Sequence, residues 1–330
     1  MSTYSQIFGG KVNVVASDPS NPINGQVWYN STSKVVKFRE VLQTGVWASG
    51  GNLATARAGL GGAGTQTVAA AFGGNTGIGG VTGFTVTTEE YDGTSWSSGG
   101  NMATGRRYLA GAGLQTSALA FGGQNQVPAI TGVTEEYNGS AWTGGGTMAT
   151  ARNYLAGCGT QTVGLAIGGA TSSGPVVNTN ATEEYDGTSW TAGGNLTTAR
   201  RGIGGAGTQT AGLAIGGFST ASAADTEEYN GTSWTSGGNL ATARGFLAGA
   251  GTQTLGLAFG GQPSPRNQTE EYDGSAWTAG GNMGTGRYLL TGAGTQTSAL
   301  AFGGYITAVV ANTEEYTGAG TATTRTVSAT

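Results

Sequence analysis

The sequence predicts an all-β protein built from repeated units of four short strands. The segment Thr-Glu-Glu-Tyr recurs six times, and glycine doublets, tryptophans and arginines recur in step with it. No part of the chain has the hydrophobic periodicity of a helix. The composition also excludes a collagen-like chain, because the 330 residues include 65 glycines but only 6 prolines.

The period of the repeat indicates the architecture. The tyrosines of the repeated segment lie 43 to 48 residues apart, a period typical of propeller blades or solenoids. They are Tyr91, Tyr137, Tyr185, Tyr229, Tyr272 and Tyr316. From the first Glu of a segment to the end of the next glycine doublet there are 35 residues, whereas the connector from doublet to Glu-Glu varies from 8 to 14. Because surface loops tolerate insertions, the connectors are predicted to be loops and the fixed segment the scaffold.

Each unit is predicted to contain strands a to d in chain order. Strand a is rich in Gly and Ala, as in 108–112, and a Thr-Gln-Thr turn leads from it to an apolar strand b such as 119–121. Thr-Glu-Glu-Tyr forms strand c after the variable loop, and an Asp-Gly or Asn-Gly turn such as Asp92-Gly93 leads to strand d. Small side chains in strand a indicate that it is the innermost strand, close to a central axis.

Tryptophans and arginines each recur once in a unit, and we expect both sets to be structural. The outer aromatic side chains are predicted to pack one blade against the next. The arginines are predicted to pair with Glu between blades, and a cationic ring at the channel mouth is the alternative. The two sets are Trp47, Trp96, Trp142, Trp190, Trp234 and Trp277, and Arg57, Arg107, Arg152, Arg200, Arg244 and Arg287.

The order of these elements resembles the kelch motif. A glycine doublet, then Glu-Glu-Tyr-Asp-Gly-Thr-Ser-Trp at 89–96, then Asn-Met-Ala-Thr-Gly-Arg-Arg at 101–107, matches its doublet, spaced Tyr and Trp, and Arg. The resemblance covers about 45–316 in six copies and implies a kelch-like β-propeller of six blades, each of four antiparallel strands. The amino-acid sequence of the repeats is also similar to that of kelch-type structural proteins of marine bacteriophages, especially cyanophages. Residues 21–30 are similar to a Gly-Gln-x-Trp-Tyr-Asn element common in phage tail and fibre proteins.

The ends of the repeat array need separate treatment. The outer strand of the sixth unit, at 319–324, lacks its Trp, and Val46-Trp47 matches the missing strand. We therefore expect the N-terminal part to close the ring by completing the last blade, which would avoid an exposed edge. A seventh blade is the main alternative, because 34–41 aligns with strand c through Glu40. The predicted domains are an attachment arm with ring-closing strands at 1–44 and the propeller at 45–330.

Composition excludes several chemistries. The chain has no His and only one Cys, so a Ser-His-Asp triad, a His/Cys zinc site and a disulfide framework are excluded. Adjacent Asp-Gly differs from a sialidase-like Asp box, and a galactose-oxidase-like copper site needs His. We expect no enzyme activity, no cofactor and no metal, and structural roles for the paired Glu. The net charge of −4 disfavours nucleic acid as a partner, and no apolar run is long enough to insert in a membrane.

The variable loops and the arginine-bearing connections are predicted to share one face of the propeller, which is the candidate binding face. Its mostly uncharged residues suit contact with sugar or protein, and ordinary loop filler is the competing interpretation. The candidate residues are Phe84, Asn125, Gln126, Phe218, Gln262, Arg266 and Tyr305.

The phage resemblance implies a non-enzymatic virion protein, made in the host cytoplasm, that acts as a tail, fibre or adhesin component. Its expected partners are other virion proteins, a glycan or protein of the host surface, and further copies of itself. A purely structural tail or decoration component is the alternative, and a glycan-processing enzyme is a third.

Overall fold

The computed structural model describes residues 12–23, 25–41, 44–77, 83–126, 129–172, 174–263, 267–320 and 322–327. These residues form strands, turns and loops without a helix, which confirms the all-β class. No helix able to cross a membrane therefore occurs in this part of the chain. The chain divides into two compact units, unit 1 (Met1–Gly45 and Gly318–Thr330) and unit 2 (Val46–Thr317).

Thirty strands are present in the described ranges. The first ten are β1 (Asn13–Val15), β2 (Val27–Asn30), β3 (Val35–Val41), β4 (Val46–Ser49), β5 (Gly61–Gly64), β6 (Ala69–Phe72), β7 (Thr88–Tyr91), β8 (Trp96–Ser98), β9 (Arg106–Arg107) and β10 (Ala110–Leu114). The next ten are β11 (Ser117–Phe121), β12 (Gln124–Asn125), β13 (Thr134–Tyr137), β14 (Trp142–Gly144), β15 (Ala156–Gly159), β16 (Gly164–Ile167), β17 (Thr182–Tyr185), β18 (Trp190–Ala192), β19 (Gly204–Gly207) and β20 (Gly212–Ile215). The last ten are β21 (Thr226–Tyr229), β22 (Trp234–Ser236), β23 (Ala248–Gly251), β24 (Gly256–Phe259), β25 (Thr269–Tyr272), β26 (Trp277–Ala279), β27 (Thr291–Thr295), β28 (Ser298–Phe302), β29 (Thr313–Thr317) and β30 (Ala322–Val327).

Unit 1 contains one four-stranded sheet in the order β1-β2-β3-β30. The carboxylate of Asp18 holds it together, because it accepts hydrogen bonds from Trp28 Nε1 (3.1 Å) and Asn30 Nδ2 (2.8 Å) and forms an ion pair with Lys37. Trp28 is fully buried. The sequence Gln-Val-Trp-Tyr-Asn at 26–30 therefore supplies the buried Trp28 and the Asn30 side chain that binds Asp18.

Unit 2 contains six four-stranded antiparallel sheets, one for each repeat. Five follow the predicted order a to d: β5-β6-β7-β8, β10-β11-β13-β14, β15-β16-β17-β18, β19-β20-β21-β22 and β23-β24-β25-β26. The sixth is β27-β28-β29-β4, in which Trp47 pairs with Tyr316. The pairing predicted for Val46 and Trp47 is thus present, and the stretch that follows β29 in sequence supplies β30 to the unit 1 sheet instead.

The hydrophobic cores of unit 2 lie between neighbouring sheets. Six clusters of buried side chains are present among the described residues, and each is shared by two adjacent sheets. One joins Phe72 of the first sheet to Leu109 of the second, and another joins Leu60 of the first sheet to Phe302 of the last. Each strand b is fully buried or nearly so, which explains its unbroken apolar sequence.

Polar groups also link each sheet to the preceding one. Trp142 Nε1 donates to Thr88 Oγ1 (2.9 Å) and Tyr137 Oη donates to Glu90 Oε1 (2.7 Å), both from the second sheet to the first. The equivalent bonds recur in all six sheets, and Tyr91 of the first sheet donates to Glu315 of the last. The second Glu of each pair is therefore an acceptor for the neighbouring sheet.

The glycine doublets are needed where strand b ends against the next sheet. Gly73 and Gly74 have φ of +63° and +98°, and a Cβ on Gly73 would lie 2.7 Å from the carbonyl oxygen of Arg106. Gly74 N donates to the same oxygen (2.7 Å). Only glycine allows both this left-handed conformation and this close approach.

Candidate functional site

Six buried arginines form ion pairs with the first Glu of each repeat. Arg57 Nη2 donates to Glu89 Oε1 (2.9 Å), and its Nη1 donates to the carbonyl oxygens of Gly73 (3.0 Å) and Thr87 (2.7 Å). Glu89 Oε2 in turn accepts from the amide of Ala54 (2.6 Å). Burial lowers the pKa of Arg57, and the charge of Glu89 opposes this shift. The pairs are Arg57–Glu89, Arg106–Glu135, Arg152–Glu183, Arg200–Glu227, Arg244–Glu270 and Arg287–Glu314.

Two details of the sequence prediction need correction. In the second repeat the buried arginine is Arg106, and Arg107 is not part of the ion pair. Arg106 lies five residues after Asn101, which is the spacing found in the other repeats. The pairs also lie within one sheet, because the arginine precedes strand a and the glutamate is on strand c of the same sheet. Since these arginines are fully buried, they hold each sheet together and present no charge to a ligand.

The residue two positions after each buried arginine belongs to a cycle of backbone hydrogen bonds. We call these six residues the mouth ring. Its members are Gly59, Tyr108, Tyr154, Gly202, Phe246 and Leu289. The amide of each donates to the carbonyl oxygen of the member in the preceding repeat, over 2.6 to 3.0 Å, and Gly59 donates to Leu289. All six residues have φ between +52° and +60°. The mouth ring thus uses one donor and one acceptor from every repeat.

A cavity of about 130 Å³ adjoins the mouth ring. It is lined by the ring members and by strand a residues of five of the six sheets, among them Gly111, Gly157 and Gly205. This volume is well below the roughly 300–1,000 Å³ of pockets that enclose a small molecule. The surface around the mouth ring is therefore a better candidate for ligand contact than the cavity.

Three aromatic members of the mouth ring contact one another. The rings of Tyr108 and Tyr154 stack with centroids 3.9 Å apart, and Phe246 meets Tyr154 edge-on at 5.5 Å. Gly202 makes room between them, since a Cβ there would lie 2.7 Å from Cδ1 of Phe246. The result is a continuous, half-buried aromatic surface on the mouth ring.

Two further arginines flank these aromatic rings. The Arg107 guanidinium lies 4.6 Å from the ring centroids of both Phe84 and Tyr108. Arg201 lies 4.7 Å from Phe218 and 5.9 Å from Phe246. We call Phe84, Arg107, Tyr108, Tyr154, Arg201, Phe218 and Phe246 the rim cluster.

Among the described residues, neutral amides and no carboxylates hold these two guanidiniums. Arg107 Nε and Nη2 each approach Gln124 Oε1 at 3.4 Å, and Arg201 Nη1 donates to Asn178 Oδ1 (2.8 Å). Burial raises the pKa of Tyr154, whereas the charges of Arg107 and Arg201 act in the opposite direction. Both positive charges therefore act at the same phenol.

The structure places the predicted binding residues in different surroundings. Phe84 and Phe218 belong to the rim cluster. Tyr305 lies outside it, against Tyr288 with ring centroids 5.4 Å apart. Gln262 pairs through its backbone with Gly245.

The remaining candidates come from two loops. Asn125 is in β12, where it pairs with Arg106, and Gln126 is exposed. Arg266 lies outside the described residues.

Sequence reasoning missed Tyr108, Tyr154, Arg201 and Phe246 as members of the candidate site. A signal for the aromatic residues is present in the sequence, because they interrupt strands a that otherwise consist mainly of small residues. Their mutual contact could not be found that way, since each comes from a different repeat.

No metal site or reactive thiol accompanies this surface in the described ranges. Groups of three or more His, Cys, Asp or Glu that could hold a metal do not occur there. Cys158 is buried, and burial raises its thiol pKa to about 12, so it is a packing residue.

Comparison with known proteins gives no assignment, since no protein family model matches this chain and no curated protein is detectably similar to it.

Proposed function

We propose that unit 2 is a closed β-propeller of six blades and that its mouth is a binding surface. Support for closure comes from three cyclic sets of contacts: the mouth ring, the Trp–Thr and Tyr–Glu bonds between sheets, and the shared cores. Each set includes a contact between the first and the last repeat. In a closed propeller every blade packs against another blade on each side.

The observation that supports a binding function is that the scaffold residues are identical in all six repeats, whereas the mouth ring residues differ. The buried Arg, the first Glu, the Tyr and the glycine doublet are the same in all six repeats, whereas the mouth ring has Gly, Tyr, Tyr, Gly, Phe and Leu. Symmetry of the fold therefore does not require the aromatic side chains. Exposed faces of Tyr, Phe and Arg are the residue types enriched where proteins bind partners.

We propose further that the protein is a non-enzymatic component of a phage particle and binds a host surface or another virion protein through this mouth. The virion assignment rests on the sequence resemblance of the repeats and of 21–30. A shallow surface binds each ligand weakly, and several copies on one particle would compensate, because the second contact becomes intramolecular. Unit 1 is the proposed attachment segment.

Binding to host cells by purified protein tests the proposal. We expect wild type to bind cells of the phage host, and Tyr154→Ala or Phe246→Ala to bind at least tenfold more weakly. Asp186→Asn is the matched control, because it changes a strand c–d turn where two other repeats already have Asn138 and Asn230. Equal binding by all four proteins would contradict a role for the mouth.

A structural virion component without receptor binding remains the second candidate, and the separate sheet of unit 1 favours it. Its outer strands β1 and β30 each pair on one side only among the described residues, so an edge is available to a partner strand. Mass spectrometry of purified particles and co-assembly of the full chain with tail proteins test this. Co-assembly without any host binding by the full chain would favour this second candidate.

A further inference from the structure

The rim cluster carries two positive charges that differ from those of the other described arginines of unit 2, because they have no carboxylate partner among the described residues. The six buried arginines each face a glutamate, whereas no described Asp or Glu forms an ion pair with Arg107 or Arg201. Both are half-buried and are held by amide oxygens and aromatic faces. A guanidinium stacked on a ring keeps its in-plane N–H groups available, and two parallel N–H groups match a carboxylate.

The mouth ring limits how a ligand can be held. Each member uses its amide and its carbonyl oxygen in the cycle of backbone bonds. An extended peptide therefore finds no free strand edge there and would have to bind through side chains alone.

A sugar chain fits the remaining groups better. The rings of Tyr108, Tyr154 and Phe246 offer flat apolar surface to the C–H face of a sugar ring. Arginines at both ends of the aromatic surface suit a polymer that carries several negative charges.

We propose that the rim cluster binds a carboxylated glycan, with Arg107 and Arg201 donating to its carboxylates and the aromatic rings packing against its sugar rings. This inference rests on the proposed function of the mouth and names the class of its ligand.

The test uses the full chain and an array of oligosaccharides that contain uronic or sialic acids, printed beside their carboxyl-reduced neutral counterparts. We expect at least one acidic glycan to bind and its reduced form to bind at least tenfold more weakly. Arg107→Gln and Arg201→Gln should each weaken binding at least fivefold, and Arg201→Lys should recover only part of the loss because Lys lacks the planar fork. Lys34→Gln, which removes one exposed positive charge from unit 1, is the matched control.

The outcomes separate this inference from the proposed function. Three results would each overturn the proposal of a carboxylated ligand. They are the absence of binding to any acidic glycan, equal binding of the acidic and reduced forms, and unchanged binding by both arginine variants. Tighter binding of an acidic peptide than of any glycan would also overturn it. Host-cell binding by wild type that both arginine variants retain would leave the proposed function intact and refute only the ligand class.

Discussion

The guanidinium of Arg106 donates to Glu135 over 2.9 Å, with both side chains buried. The next residue, Arg107, lies against Phe84 with no carboxylate partner among the described residues. Two adjacent arginines thus have opposite roles, one inside the scaffold and one on the candidate binding surface.

Replacing these two arginines should separate stability from binding. Arg106→Gln leaves Glu135 buried without its counterion, so we expect the free energy of unfolding to fall by about 3–5 kcal/mol. Arg107→Gln loses stacking on aromatic rings and two long contacts to Gln124 Oε1, and should cost about 1 kcal/mol or less. Urea unfolding at pH 7 measures both, and an equal loss in the two variants would contradict the assignment of Arg106 to the scaffold.

Stability should fall at alkaline pH through the tyrosines that link neighbouring sheets. Burial, with the hydrogen bond to Glu90, raises the pKa of Tyr137 to about 12, and Tyr91, Tyr185, Tyr229 and Tyr272 are raised to about 12 in the same way. Because the neutral phenol is favoured in the folded state, its contribution is complete below about pH 10, the pKa of an unfolded Tyr. It is lost as the pH rises from about 10 towards 12.

Urea unfolding midpoints between pH 8 and pH 12 check this. Tyr137→Phe should already be about 1 kcal/mol less stable at pH 8, because Glu90 loses a donor. Its further loss at high pH should be smaller than that of wild type. A wild-type midpoint that stays constant to pH 12 would refute the role of these tyrosines.

Unit 1 should respond to acid through Asp18. Hydrogen bonds from Lys37, Asn30 and Trp28 lower the pKa of Asp18 to about 2. The stabilisation is therefore present above its ordinary pKa of 3.8 and is lost as the pH falls towards 2. We expect the Trp28 contribution to fluorescence, taken as wild type minus Trp28→Phe, to change in this range.

The variant Asp18→Asn should show that changed signal already at pH 7. Asp92→Asn is the control, because hydrogen bonds lower the pKa of Asp92 too, but it lies in a turn of unit 2. A Trp28 signal that is flat between pH 4 and pH 2 in wild type would show that Asp18 does not hold this sheet.

Gly202 should be intolerant of a side chain. Gly202→Ala would place a methyl group 2.7 Å from the Phe246 ring at φ +60°, so we expect a loss of about 1–3 kcal/mol and weaker ligand binding. Gly144 is the matched control, because no atom lies within 4 Å of a Cβ there and Ala192 and Ala279 occupy the equivalent position. Gly144→Ala should be neutral or stabilise by up to about 1 kcal/mol in a thermal melt. Equal melting temperatures for both variants would contradict crowding at the mouth.

Local features of the repeat could be predicted from sequence. A turn forms where Asp92-Gly93 predicts one, with φ of +90° at Gly93, but its type differs from the expected two-residue turn. Four residues, 92–95, separate the paired Tyr91 and Trp96, and the Asp92 carboxylate accepts hydrogen bonds from the amides of Thr94 and Ser95. The outer position of Val46-Trp47 was also predictable, since Trp47 fills a place that the pattern of the other repeats leaves open.

Features that depend on contacts between distant residues could not be predicted. Arg106 was recoverable by counting five residues from Asn101, but two adjacent arginines obscured the register. The stacking of Tyr108 on Tyr154 depends on how neighbouring sheets approach, which no pattern within one repeat specifies. The pairing of β30 with β3 likewise joins segments almost 300 residues apart.

The pairing of β4 with β29 has a consequence for how the gene could be rearranged. Val46 and Thr317 are partners in the register of this sheet, so the first and last residues of unit 2 are neighbours in space. A short linker could join them, and new termini could be opened in any exposed strand c–d turn. Unit 2 is therefore suited to circular permutation, in which the starting repeat changes while every sheet-forming segment is retained.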